Sequence, residues 1–175
     1  MFTNRLFNML VVVTLLVPIT IRGIGLAVLA KAEAKGNFIT TSTMIISEME
    51  DKFNTIIDLS STVTYTGTLE GTSTLQGTLT IHRDGSGRFQ GVETFSGLVN
   101  GMPGTLTFKI EGSNDLYQEI QLTNIITSST GELASLQGVL SRVGIVKDDG
   151  PVGTYTGQIK KTSNPTLEKE DPDEY

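Results

Sequence analysis

Residues 61–81 read STVTYTGTLEGTSTLQGTLTI, and their alternation decides the fold. Eight threonines, Thr62, Thr64, Thr66, Thr68, Thr72, Thr74, Thr78 and Thr80, all fall on even numbers. The odd positions carry Val63, Tyr65, Gly67, Leu69, Leu75, Gly77, Leu79 and Ile81. Successive side chains of a strand face opposite sides, so the odd set belongs to a buried face and the threonines to a solvent face. Two strands that keep one parity across their connection need an odd-numbered loop. The reading therefore sets a three-residue turn at Glu70-Gly71-Thr72, with Gly71 supplying positive φ. Tyr65 is then expected opposite Gly77, and Gly67 opposite Leu75.

The same test carries the pattern onward. A three-residue turn at Asp84-Gly85-Ser86 pairs Ile81 with Phe89 and Leu75 with Phe95, and brings Glu93 opposite Gly77 on the apolar face. The apolar set then switches to Leu106, Phe108 and Ile110, which requires an even loop. Asn100-Gly101 is the strongest two-residue hairpin signal, and it pairs Phe95 with Leu106 and Glu93 with Phe108. A turn at Ser113-Asn114-Asp115 aligns Phe108 with Ile120 and Leu106 with Leu122.

Further strands are expected at Phe38–Ile46, Gln137–Val143 and Thr154–Lys160, and the strand ending at Leu69 can begin as early as Asn54. About eight antiparallel strands joined by short hairpins must close or stack, because an open sheet of that size leaves long bare edges. The expected fold is a single closed all-β antiparallel barrel spanning residues 35–161. One helical turn is expected at Gly131–Leu136, where Ser129 and Glu132 have capping-box spacing. Residues 162–175 lose their apolar content and gain Glu168, Glu170, Asp171, Asp173 and Glu174, which reads as a disordered acidic tail.

The chain has 175 residues, no cysteine and 19 glycines. A mature part of roughly 140 residues can bury a core without metals or disulfides. Without cysteine there is no thiol catalysis and no Cys-ligated zinc. Arg5 precedes an apolar run from Met9 to Ile21, and Ala32-Glu33-Ala34 has the small residues of a signal-peptidase site. Residues 1–34 therefore read as a signal peptide cleaved after Ala34, and the barrel as secreted or held in the cell envelope. The competing reading is an uncleaved anchor over residues 9–30, which is long enough to span a membrane but contains Pro18 and Arg22. The whole chain carries a net charge of −6. Removing residues 1–34 takes away Arg5, Arg22 and Lys31 but only Glu33, leaving 10 basic and 18 acidic residues, a net of −8. Such a surface repels phosphate backbones, and no nucleic-acid partner is expected.

Among candidate site residues, Glu93 comes first, because alternation turns its carboxylate inward. A buried carboxylate needs a donor or a proton, and Tyr65 is the expected partner, ahead of Tyr155 and Arg88. The functional reading is a polar group in an apolar pocket formed by Leu79, Phe89, Phe95, Phe108 and Ile120. The competing reading is a structural hydrogen bond that fixes register. His82, the single histidine, stands beside a turn without a second ligand, so no metal is expected. Ser128, Ser129, Ser135 and Ser141 lack a nucleophile-elbow context, and the glycines form no phosphate loop or dinucleotide fingerprint; no cofactor is expected. Tyr65-Thr66-Gly67, Phe95-Ser96-Gly97 and Tyr155-Thr156-Gly157 repeat one element, an aromatic followed two residues later by an inward glycine that makes room for cross-strand rings.

Gly91-Val92-Glu93-Thr94-Phe95-Ser96-Gly97, then Asn100-Gly101 with Gly104, then Thr130-Gly131-Glu132-Leu133-Ala134 with Leu136 and Gly138, carry a family resemblance. Over Gly67 to Gly138 the chain resembles the bacterial family of domain of unknown function thirty-two twenty-four (DUF3224), whose barrel is similar to those of plant allene oxide cyclases and dirigent proteins. The resemblance implies a calycin-like barrel and no established activity. Ser129, Ser135 and Gln137 depart from the glycine, glycine and arginine of the family pattern, which speaks against an arginine-dependent role. The leading expectation is a non-catalytic exported barrel that binds a small apolar ligand or a partner surface. By analogy with the barrel's relatives, the alternative is a cyclase or isomerase of a reactive hydrophobic substrate. The third reading is a structural envelope protein that associates through an exposed edge.

Overall fold

A computed structural model of the chain describes residues 31–115, 119–148 and 150–162. The expected export run from Met9 to Ile21, the anchor alternative and the tail from residue 163 onward lie outside the described residues. Eight strands follow one another: β1 (Ala32–Glu50), β2 (Asn54–Gly67), β3 (Leu69–His82), β4 (Gly87–Val99), β5 (Met102–Asn114), β6 (Glu119–Gly131), β7 (Leu136–Lys147) and β8 (Gly150–Lys161). Each pairs antiparallel with the next, and β1 pairs with β8, so the sheet closes into the expected barrel. Among the described residues there is no helix. The expected helical turn at Gly131–Leu136 is instead a set of hydrogen-bonded turns. Ala134 N–H bonds the Gly131 carbonyl and Leu136 N–H the Leu133 carbonyl, while Ser129 lies in β6 opposite Leu106 rather than capping anything.

The hairpin between β4 and β5 turns on Asn100 and Gly101 with φ of 51° and 80°, the pair of left-handed residues that a two-residue turn needs. It pairs Phe95 with Leu106 and Glu93 with Phe108, as alternation requires. The other expected registers are displaced by an even number of residues, except that Leu106, beyond a bulge between β5 and β6, meets Ser129 instead of Leu122. β2 and β3 turn around Thr68 rather than Gly71, so Tyr65 faces Gly71 and Leu59 faces Gly77. The turn lies there because Thr68 is fastened on both sides: its N–H donates to the Lys35 carbonyl and its carbonyl accepts from Asn100 N–H. The loop between β3 and β4 has three residues, as expected, but they are Arg83-Asp84-Gly85. His82 N–H donates to the Ser86 carbonyl, Gly85 takes φ of 87°, and Leu79 faces Phe89 while Leu75 faces Glu93. β5 runs on to Asn114 instead of turning at Ser113, which pairs Phe108 with Ile126 and Ile120 with Asn114. An even displacement leaves every side chain on its own face, so parity cannot detect it.

One end of the barrel is shut. Leu69, Val99, Leu106, Leu133 and Leu136 fill it, and Leu133 of the β6–β7 turn lies over Gly104, where a Cβ would come within 2.8 Å of its Cγ. Tyr155 crosses Gly36 in the same way and closes the wall between β8 and β2; its hydroxyl accepts from Leu69 N–H at 2.7 Å and donates to the Thr66 carbonyl at 3.3 Å. At the opposite end β1 and β2 outrun β8. The β1–β8 pairs stop at Ile39 with Val152, whereas β1 continues beside β2 to Glu50 through bulges at Thr41 and Ile46. That extension exposes Met44, Ile45, Ile46 and Met49.

Candidate functional site

Halfway along the barrel the apolar interior is interrupted by a layer of polar side chains centred on Glu93, which is fully buried. Glu93 stands between Leu75 and Phe108, not opposite Gly77. Four donors converge on its carboxylate. Tyr65 Oη donates to Oε1 at 2.8 Å, Ser73 Oγ makes a short bond to the same oxygen, Asn124 Nδ2 reaches Oε2 at 3.2 Å and Arg142 Nη1 reaches Oε2 at 2.9 Å. Each of the four gives a hydrogen, a set matched to a carboxylate acceptor. Burial holds the Tyr65 hydroxyl well above its ordinary titration range, and the Glu93 charge adds to the effect while Arg142 opposes it. Tyr65 thus stays a donor. Burial also raises Tyr155, against the Leu69 N–H that its hydroxyl accepts.

Arg142 is the residue that sequence reading missed. It is 1 % exposed, its guanidinium carbon lies 4.1 Å from the Phe38 ring centre and 5.5 Å from that of Tyr65, and it balances the Glu93 charge. Gln137, which departs from the arginine of the family pattern, faces outward on β7, and the buried arginine stands five positions further along the same strand. The signal was available, since Leu136, Leu140 and Arg142 share one parity and the first two are plainly core residues. Asn124, in step with Ile120 and Leu122, and Ser73, in step with Leu69 and Leu75, could have been found in the same way. Arg88, weighed as a partner of Glu93, faces outward on β4 and takes no part.

Above this layer, toward the open end, lies a cavity of about 500 Å³. Its walls are Leu59, Leu75, Leu79, Phe89, Ile120 and Leu122; Thr40, Thr43 and Ser61 interrupt them, and Asn114, Asp115, Lys147, Asp148 and Pro151 belong to the rim. Phe89 can lie flat against the wall because Gly77 and Gly91 stand beneath it; a Cβ at Gly77 would come within 2.4 Å of the Phe89 ring. Arg142 also lines the cavity, whereas Glu93, Tyr65, Phe95 and Phe108 do not. Of the seven residues expected to form an interior site, then, Leu79, Phe89 and Ile120 border the cavity. Glu93 and Tyr65 form the polar layer beneath it, and Phe95 and Phe108 pack in the filled part, with Phe95 edge-on to Tyr65 at 5.8 Å. Among the described residues, no cluster of His, Cys, Asp or Glu could hold a metal ion.

The profile of a family described as "Protein of unknown function (DUF3224)" matches residues 34–158. Among solved structures, the chain is similar to a DUF3224 protein of unknown function from Shewanella oneidensis MR-1. The two are 16 % identical with a TM-score of 0.61, over 77 % of this chain and 100 % of that one. It is also similar to two pterocarpan synthase dirigent proteins, PsPTS1 and GePTS1. For PsPTS1 the identity is 18 % and the TM-score 0.45, over 75 % of this chain and 94 % of that one. For GePTS1 the values are 16 % and 0.49, over 86 % and 100 %. No curated protein matches the chain.

Proposed function

Because the chain belongs to the DUF3224 family of proteins of unknown function, its activity must be read from its own interior, and we propose that it binds a small apolar molecule in the open end of the barrel. The observation that carries this reading is the cavity of about 500 Å³ with eight large apolar side chains, Ile81 and Val146 included, in its lining. Pockets of about 300–1,000 Å³ with mostly apolar walls and a few polar groups are the usual shape of small-ligand sites. Among the described residues the opposite end is filled by Leu69, Val99, Leu106 and Leu133, so the cavity is approached from the open end.

Binding is favoured over turnover by the position of Glu93. A cyclase or isomerase reading needs that carboxylate to touch the substrate. Four donors occupy it instead, and Arg142, not Glu93, borders the cavity. Titration with the neutral fluorophore N-phenylnaphthylamine tests the reading. Saturable binding to the wild-type protein, lost in Leu79→Trp with the β-sheet circular dichroism unchanged, is the expected result; binding that is non-saturable or indifferent to Leu79→Trp contradicts it.

We extend the proposal to an extracytoplasmic location, supported by Arg5, the apolar run from Met9 to Ile21 and the small residues at Ala32 and Ala34. Ala32, Glu33 and Ala34 are also the first residues of β1, paired with Ile159, Gln158 and Gly157, so cleavage after Ala34 gives up three ladder pairs. N-terminal sequencing of protein recovered from the source cells distinguishes a start at Lys35 from an intact, membrane-held Met1.

A further inference from the structure

We propose that the inner end of the cavity selects a molecule carrying a neutral carbonyl oxygen, received by the side-chain Nε–H of Arg142. This inference rests on the binding reading above and goes further by naming the polar group of the ligand. Its basis is an unmet hydrogen-bonding need. Arg142 Nη1 donates to Glu93, but Arg142 Nε is buried without a partner among the described residues. A buried donor left unsatisfied costs about 1–3 kcal/mol, and native interiors rarely carry one without a reason. Asn124 Oδ1, the other buried atom of the layer without a partner among the described residues, is an acceptor on a residue that does not border the cavity, whereas Arg142 does border it and is the side chain of the layer that an occupant of the inner end can approach.

The charge balance selects the kind of acceptor. Glu93, fully buried and 2.9 Å from Arg142, already neutralises the guanidinium. A carboxylate brought to the same place would be a second anion in a low-dielectric site with one cation, and it would lie close to Glu93. A ketone, aldehyde, ester or amide oxygen takes the hydrogen bond without adding charge. The rest of the cavity agrees, because it offers Leu75, Phe89 and Leu122 to an apolar body, and the second cation of its lining, Lys147, belongs to the rim together with Asp115 and Asp148.

The test uses three probes of equal chain length, decane, 2-decanone and decanoate, whose binding is read by displacement of N-phenylnaphthylamine. They are measured on the wild-type chain and on Glu93→Gln/Arg142→Met, which removes the donor while leaving no isolated buried charge. The expected result is that 2-decanone binds more tightly than decanoate. Its affinity relative to decane should also fall about tenfold in the double variant, the size of one hydrogen bond to a charged group. An unchanged ketone-to-alkane ratio, or decanoate binding best, overturns this inference and leaves the binding reading standing. Failure of all three probes to bind the wild-type chain overturns both. Should the double variant fail to fold, the NMR resonance of the Arg142 Nε–H in the wild-type protein decides: it should shift with 2-decanone and not with decane, and equal response to the two contradicts the proposal.

Discussion

Arg142 and Glu93, on strands β7 and β4, meet across the barrel at 2.9 Å with both side chains removed from solvent. Neither strand pairs with the other, so this contact ties two opposite walls together through the core. A buried ion pair offers little net stabilisation over a well-packed apolar pair, because desolvation offsets the attraction, but losing one partner strands the other. The layer around Glu93 is therefore sensitive to single changes and tolerant of matched ones.

Glu93→Gln alone and Arg142→Met alone are each expected to destabilise the barrel by about 3–5 kcal/mol, with the Glu93→Gln/Arg142→Met double variant far short of the sum. Urea unfolding of the four proteins measures this. Additive losses would mean that the two side chains act independently.

Alkaline pH should unfold the protein by way of Tyr65. Its hydroxyl titrates above the ordinary value of 10.0 in the folded chain, chiefly through burial. The folded state thus holds the proton more tightly than the unfolded state does. Its contribution to stability is complete below the ordinary tyrosine value and is lost as pH rises through the folded one. Ultraviolet titration of phenolate should show late ionisation of both Tyr65 and Tyr155, and the Tyr65 share should coincide with unfolding and be missing in Tyr65→Phe. Ionisation of Tyr65 at ordinary pH in the native barrel would contradict the burial described.

Gly77→Ala is expected to destabilise by about 1–3 kcal/mol, the usual cost of overpacking. The new Cβ would lie 2.4 Å from the Phe89 ring and 2.5 Å from the Gln90 carbonyl. Phe89 must swing toward the cavity to make room, so probe affinity should fall together with stability. Unfolding midpoints and fluorophore titration on one sample check both.

Hydrogen exchange should divide β1 in two. Residues 36–39 pair on both sides, with β2 and β8, whereas the described β1–β8 pairs end at Ile39 and the remainder runs beside β2 only. The segment Thr41–Glu50 should exchange well before Gly36–Ile39. Equal protection along the strand would require a further partner on that edge.

Much of the architecture was legible because a strand writes its two faces in alternate letters. The threonines of 62–80 marked the outer face, Asn100-Gly101 fixed one hairpin outright, and together they turned Glu93 inward and put Tyr65 within reach. What alternation cannot resolve is an even slip. The pairings around the turns at Thr68, at Arg83-Asp84-Gly85 and, for Phe108 and Ile110, beyond Asn114 each slipped by an even number of residues, with no change in which side chains face the core. Bulges are also silent in the pattern, because the extra residue at Thr41 or Ile46 looks like any other strand residue. Arg142 escaped because a charged side chain reads as exposed until its neighbours Leu136 and Leu140 are used to assign its face.

The most direct test of the ligand-binding account is a methyl NMR titration of the wild-type protein with 2-decanone. Leu75, Leu79, Ile120 and Leu122 border the cavity, whereas Leu69, Leu106 and Leu133 fill the shut end. The account expects saturable shifts in the first group and still resonances in the second. Shifts confined to the shut end or the outer surface, or no saturable shifts at all, would contradict it.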